Sequence, residues 1–321
     1  MGGNALQNIC YTRRYDVKEF VPISLDVKDA LYGIFSKSSI VPYYRNKQSF
    51  GDLDIIVCNQ LDYNANDIKD ALKDIFQPAG IVLNDRCFSF NYEELQVDVI
   101  VEEPKYYQTH LNYMSYNDLG NLVGRIAKSV FDVKYGHKGL IAPVRMDNTN
   151  VVSEIELSLD TYKMLSFLGF DPARFFAGFD EVEEVFEYVV GSKYFNAEFF
   201  DLENLNHINR TRNRKRENYQ KFLKFLEDNK IEGLKNLPIY DANSFFPEAN
   251  LNKRKEEIIG KATRYKNAKE LVISVARTMY EREEISIRAA KLKVYLESIG
   301  NYEESVEKMT KDEIAQLLKE V

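Results

Sequence analysis

Three aspartates carry the chemistry most legible in this chain. Asp52 and Asp54 stand two apart in Ser49-Phe50-Gly51-Asp52-Leu53-Asp54-Ile55-Ile56-Val57, at the head of an apolar, β-branched run. A strand alternates its side chains between faces, so residues two apart point the same way. The two carboxylates therefore converge on one side while Ile55, Ile56 and Val57 anchor the strand in a core. Like charges held together repel, and burial adds a desolvation cost, so a fold keeps such a pair chiefly around a cation. Mg2+ suits that place, because it takes hard oxygen ligands and leaves positions for substrate phosphates. Without a cation, the same residues read as a solvated Gly-Asp turn entering a strand. A second apolar strand, Leu95-Gln96-Val97-Asp98-Val99-Ile100-Val101, is interrupted by a single acid. Either Asp98 faces water on an edge strand, or it lies beside Asp52 and Asp54, since a buried carboxylate needs compensation. In the second case the three form a cup for two metal ions, suited to in-line displacement at phosphorus.

The elements that must position these residues follow from periodicity and turn signals. Ser24 is a good N-cap, and Leu25, Val27, Ala30, Leu31 and Ile34 predict a helix up to Ser38. A strand over 40–45, a turn over 46–51 and the strand Asp52–Cys58 follow. A helix over 66–76 is bounded by Asn64/Asn66 and Pro78, and short strands are expected near 80–84, 87–91 and 95–101. Leu119, Leu122, Val123, Ile126 and Val130 share one face of a helix over 116–130, with strand-like pieces at 132–136 and 139–145 after it. The polar run Met146-Asp147-Asn148-Thr149-Asn150 reads as a domain boundary. Beyond it the pattern is mostly helical, at 158–168, 180–190, 214–229, 253–260, 265–282, 285–298 and 310–320. The fold class expected is therefore α+β: a mixed-sheet domain with flanking helices over 1–148, then a helical domain over 151–321.

A length of 321 residues accommodates two such domains, and 21 Tyr with 20 Phe supply large apolar surfaces without any Trp. Cys10, Cys58 and Cys87 have unrelated spacings, which suggest neither a disulfide framework nor a zinc site. No stretch resembles a signal peptide or a membrane span, so a cytoplasmic protein with no membrane partner is expected. A net charge of −7 argues against a broadly basic nucleic-acid coat, though not against a local basic groove.

Gly51-Asp52-Leu53-Asp54 followed by the Val97-Asp98-Val99 strand resembles the nucleotidyltransferase superfamily, and more narrowly the family X DNA polymerases that include polymerase beta. The resemblance covers about the first 145 residues. It implies a nucleotidyltransferase-type palm over 24–102 and a nucleotide-closing subdomain over 103–148. It implies that Asp52, Asp54 and Asp98 are catalytic and bind two Mg2+ ions, with Mn2+ as a substitute, and that Asp98 lies closest to the attacking hydroxyl. The family carries an aromatic segment fifteen residues after the third Asp, and here Tyr113 stands there, with Asp118, Asn121 and Arg125 at matching intervals. By the same resemblance Tyr113 packs on the nucleotide sugar, Asp118 stacks near the base, Asn121 reads the minor-groove edge and Arg125 contacts the template side. Read from the residues alone, that set is an ordinary amphipathic helix with a polar face. Arg45 falls where the family places a triphosphate contact; Lys47, Ser49 and Gly51 complete the substrate-binding residues expected ahead of Asp52.

One departure stands out. The family's phosphate-binding turn begins with Gly-Ser, whereas this chain has Val41-Pro42, and Pro has no N–H to donate. Ser38-Ser39 could serve only if the turn were reshaped. Gly2-Gly3-Asn4 offers backbone amides suited to an anion nest, and Arg13-Arg14 offers charge, so either the N-terminal segment folds back to the site and replaces the missing donors or the chain starts disordered.

In the second half, Arg210, Arg212, Arg214, Lys215 and Arg216 cluster ahead of an amphipathic helix. Basic residues oppose the dipole at a helix start, so either a nucleic-acid backbone or a solvated charged face accounts for them. The aromatics from Phe167 to Phe200 read as core rather than as a base-stacking platform. His137, in a glycine-flanked turn, is the histidine best placed to reach substrate, although a plain turn residue explains it as well. The reaction implied by the resemblance moves a nucleoside monophosphate from an NTP or dNTP to an acceptor hydroxyl, foremost a nucleic-acid 3′ end. Template-independent transfer to RNA, tRNA or protein keeps the same chemistry. An inactive module that senses nucleotide or nucleic acid is the reading from a different class.

Overall fold

Period-two alternation along the two acidic strands decides what each face of the sheet meets. The computed structural model describes residues 5–58, 64–147, 150–233 and 242–321. The chain begins with β1 (Tyr15–Asp16), α1 (Val17–Leu31), β2 (Lys37–Ile40), β3 (Ser49–Phe50) and β4 (Asp52–Cys58). There follow α2 (Ala65–Phe76), β5 (Ile81–Asn84), β6 (Cys87–Tyr92) and β7 (Leu95–Glu102). Five of these strands make one mixed sheet in the order β2-β4-β7-β6-β5. β4 and β7 run parallel at its centre, and the remaining pairs are antiparallel. Leu53, Ile55, Val57, Val97 and Val99 pack with Phe20, Val27 and Leu31 of α1 and with Ile68, Leu72 and Phe76 of α2. The alternate residues Ile56, Cys58 and Ile100 meet Tyr107, Leu111 and Met114 of α3 (Tyr107–Met114) on the other face. Asp52, Asp54 and Asp98 share that second face.

α1 begins seven residues before the expected start at Ser24. Asp16 caps it, accepting from the N–H groups of Lys18 and Glu19, while the Glu19 carboxylate reaches back to the Asp16 N–H. That reciprocal cap outweighs Pro22 inside the helix. The strand expected over 40–45 runs over Lys37–Ile40 instead, ahead of Pro42. The helix expected over 116–130 is α4 (Leu119–Phe131), because Tyr116 and Asn117 both hold positive φ, 60° and 62°, and turn the corner between α3 and α4.

β8 (Lys134–Gly136), β9 (Gly139–Arg145) and β10 (Val151–Ser158) form a second sheet in the order β10-β9-β8. β10, which follows the polar run, was expected as neither strand nor helix over most of its length; its Val-Val-Ser-Glu-Ile-Glu-Leu-Ser alternation is strand-like. Helices α5 (Thr161–Phe167), α6 (Pro172–Ala177), α7 (Val182–Val190), α8 (His207–Arg214), α9 (Glu217–Asp228) and α10 (Ala242–Phe245) come next. The helix expected over 214–229 is α9, and α8 ahead of it, separated by Lys215-Arg216, was not expected. Phe170, Phe175, Phe179, Phe186, Tyr194, Phe195 and Phe200 are buried among these elements. They form a core, and Phe176 is exposed.

The chain divides into two compact units, Met1–Ala142 with Glu156–Phe246, and Pro143–Ile155 with Pro247–Val321. The boundary expected at 148–151 falls within the second unit, and residues 156–246, expected in the helical domain, belong to the sheet-bearing unit. The second unit contains α11 (Leu251–Ala276), α12 (Arg282–Ile299), α13 (Tyr302–Lys308) and α14 (Lys311–Glu320) around Val272, Ala276, Leu292, Leu296, Val306, Ile314 and Leu318. α11 is continuous where two helices, 253–260 and 265–282, were expected. No helix among the described residues is long and apolar enough to cross a membrane.

Candidate metal centre

Strand register brings the three aspartates together. Asp54 and Asp98 are direct partners across the parallel β4–β7 pair, and Asp52, two residues earlier on the same face, is partnered with Gln96. One ligand oxygen from each carboxylate lies within 4.8 Å of the others, and each residue is partly shielded from solvent. Burial pushes the Asp54 carboxyl well above its ordinary value, and the charges of Asp52 and Asp98 push it further. Burial likewise raises Asp98, to about 6, with Asp52 adding to the effect and hydrogen bonds from Ser89 and Gln96 opposing it. Three crowded carboxylates, two of them with raised pKa values, are a costly arrangement that a divalent cation relieves. The donor set, all hard oxygen, fits such an ion.

Lys47 is a cation whose charge interacts with this cluster. Burial lowers its pKa, while the charges of Asp52 and Asp54 oppose that shift. The Lys47 Nζ lies 4.7 Å over the Phe50 ring and donates to Asn117 Oδ1 at 3.3 Å. Ser49, close by in the chain, is gripped from the N-terminal arm: Arg14 Nε donates to Ser49 Oγ at 2.9 Å and Nη2 to the Ser49 carbonyl at 3.1 Å. Gly51 is the one-residue bend between β3 and β4.

Other residues expected at the site are engaged elsewhere. Arg45 turns to Asp180 and to the Ala177 carbonyl, and its backbone N–H donates to the Phe179 carbonyl at 2.9 Å. Pro42, in place of the Gly-Ser turn, uses its carbonyl to accept the Tyr116 N–H at 2.7 Å. Tyr113 packs edge-on against Tyr135, with ring centroids 5.7 Å apart. The polar side of α4 faces α8 and α9 rather than open solvent. Asp118 pairs with Arg216, Asn121 donates to Asn213 Oδ1 at 3.4 Å, and the half-buried Arg125 has Tyr219 as its electrostatic neighbour.

The basic cluster is also largely neutralised within the chain. Arg210 and Arg214 pair with Glu203, and Arg216 with Asp118. Arg212 and Arg214 sit in the last turn of α8, where cations suit the helix dipole, whereas Arg216 stands at the start of α9 and is compensated by Asp118. Among the described residues, Arg212 and Lys215 are the members of the cluster with no ion pair in the chain.

Gly2-Gly3-Asn4 lie outside the described residues. The arm that follows them does reach the site: Ala5 N–H donates to Gln96 Oε1 at 3.0 Å. Arg13 is engaged by Glu19 and Glu94. Gln96 and Ser89 were not among the residues expected here, although Gln96 shares the face of Asp98 by strand alternation. Further along that face, Glu102 is fully buried and meets His110 Nδ1 at 2.8 Å and Arg86 Nη1 at 2.6 Å. Burial alone would raise its carboxyl, but the His110 and Glu103 N–H hydrogen bonds and Arg86 hold it below its ordinary value. His137 packs against His110, ring centroids 5.0 Å apart, and burial followed by that neighbour lowers its pKa.

No protein-family model matches the chain, and a search of curated proteins finds no match. Fold and site together define an α+β protein whose central sheet carries an acidic triad able to hold a metal ion.

Proposed function

We propose that this chain is a metal-dependent nucleotidyltransferase with a palm of the family X polymerase kind. The observation that carries the reading is the side-by-side register of Asp54 and Asp98 on parallel strands, with Asp52 on the same face. Asp52, Asp54 and Asp98 would hold Mg2+. The ion, when bound, neutralises charge developing on the phosphates and lowers the pKa of the attacking hydroxyl. The acceptor oxygen bonds to the α-phosphorus of an NTP or dNTP, the bond from that phosphorus to the bridging oxygen breaks, and pyrophosphate leaves. Asp98, which the resemblance places closest to the attacking hydroxyl, takes its proton in this reading. Lys47 supplies positive charge on the phosphate side, a role better supported for it than for Arg45, which is engaged by Asp180.

One observation favours an acceptor that needs no template. Asp118 and Asn121, which the resemblance assigns to base contacts, are occupied with the start of α9 and with α8. Template-independent transfer to an RNA end is therefore the second reading. The test is incubation with Mg2+, labelled NTPs and dNTPs, and DNA or RNA acceptors with and without a complementary strand. Incorporation that Asp54→Asn abolishes is expected. Absence of transfer to any nucleic acid would sink the polymerase-like reading, and equal transfer with and without template would select the second one.

A further inference from the structure

The Gln96 amide is engaged at both ends, and the two contacts are linked. Gln96 is 2% exposed and stands two residues before Asp98, so both side chains project from the same face of β7. Its Nε2 lies 3.0 Å from each oxygen of Asp98. Its Oε1 accepts the Ala5 N–H at 3.0 Å. An amide whose oxygen is held by an N–H must present its nitrogen at the other end, and reversing it would set oxygen against carboxylate and nitrogen against N–H. The Ala5 contact thus decides that Gln96 acts as a donor to Asp98. An ionised carboxylate offers about four lone-pair sites, and the amide uses one on each oxygen. Both oxygens are thus engaged from the Gln96 side, with the other sites left for a cation shared with Asp52 and Asp54.

Ala5 is not an isolated touch. Leu6 is fully buried, the Arg13 N–H donates to the Glu94 carbonyl at 2.9 Å, and Tyr15 and Asp16 pair with Phe50 and Ser49. The arm over 5–16 therefore contacts the lead-in to both acidic strands, Ser49-Phe50 before β4 and Glu94 before β7.

We propose that Gln96 is the positioning residue for Asp98 and that the N-terminal arm, through the Ala5 N–H, sets it, so that docking of the arm tunes cation binding by the acidic triad. The inference rests on the metal-site reading of the triad. Groups that orient a metal ligand typically change affinity by about 10–100-fold when removed.

Titration of the full chain with Mn2+, followed by electron paramagnetic resonance, tests it. Wild type should bind, and Asp54→Asn should lose binding. Gln96→Met, similar in volume but without the amide donor and acceptor, should weaken binding about tenfold. Ala5→Pro removes the N–H and should weaken binding in the same direction, whereas Ala5→Gly keeps the N–H and should match wild type. Ala5→Pro should have no further effect in the Gln96→Met background, because the two changes cut one chain of contacts. A general loosening of packing would instead give additive effects, and additivity overturns the inference. So does Mn2+ affinity that stays the same or rises in Gln96→Met. Ala5 is exposed, so the Pro and Gly variants carry the test should Gln96→Met fail to fold. A wild type without Mn2+ affinity, or an Asp54→Asn variant with undiminished affinity, overturns the metal reading itself and this inference with it.

Discussion

Replacing Asp98 with Asn should make the metal-free protein more stable at neutral pH. Burial, and then the Asp52 charge, raise the Asp98 carboxyl from 3.8 to about 6 despite the hydrogen bonds of Ser89 and Gln96. At about 1.4 kcal/mol per pH unit, ionised Asp98 costs the folded state on the order of 3 kcal/mol relative to the unfolded chain. Asp98 and Asp54 repel each other, so the cost is shared, which leaves roughly 1–3 kcal/mol for one residue. The sign follows from proton binding. Between about pH 4 and pH 6 the folded state holds more of this proton than the unfolded state, so the contribution to stability falls as pH rises through that window. Asn resembles the neutral acid in shape and keeps an acceptor for the Gln96 amide. In chelator at pH 7, Asp98→Asn should therefore exceed wild type by about 1–3 kcal/mol in urea denaturation, and the gap should narrow toward about pH 4.5. Mg2+ should then stabilise wild type by mass action and the variant much less. A variant that is less stable than wild type at pH 7 in chelator, or a gap independent of pH, would refute the reasoning.

Gly120→Ala drives a Cβ into the Tyr113 carbonyl oxygen and ring and should destabilise the α3–α4 corner by about 1–3 kcal/mol, whereas Gly136→Ala, with open space around it, should be neutral in the same thermal melts. Arg216→Ala leaves Asp118 without its partner at a partly buried position, and a decrease of roughly 2 kcal/mol in urea denaturation is expected. Combined Arg212→Ala and Lys215→Ala should reduce the slope of log affinity against log salt for single-stranded RNA by about 1.4, since each cation that neutralises a phosphate contributes about 0.7; an unchanged slope removes α8 from the acceptor path. Glu102→Gln should lower stability at pH 7 by an amount that shrinks below about pH 4, since the Glu102 carboxyl is held low by the fold and its contribution disappears as it protonates.

Local pattern sufficed where it named a period and a boundary together. The strand Asp52–Cys58 and the helix ending at Phe76 match their apolar spacing closely, because alternation and Asn64 capping are properties of a few neighbouring residues. The start of α1 is harder to see locally: Pro22 looks like a boundary, while Asp16 and Glu19, the reciprocal cap, are separated from most of the apolar face they introduce. The break at Lys215-Arg216 divides the basic cluster: Arg212 and Arg214 close α8, where cations suit the dipole, while Arg216 stays at the start of α9.

Alternation along a strand is local geometry, so the chain order alone places Asp52 on one face with Asp54, and Asp98 with Gln96. That Asp54 stands opposite Asp98 was decided only by tertiary structure, through a parallel pairing of strands separated by α2 and two further strands. The same holds for α4. Its polar stripe is visible in the sequence, but periodicity distinguishes polar from apolar and says nothing of whether the polar side meets water, a substrate or another polar helix. Asp118 and Asn121 meet Arg216 and Asn213 because nonlocal packing brings α8 and the start of α9 against them.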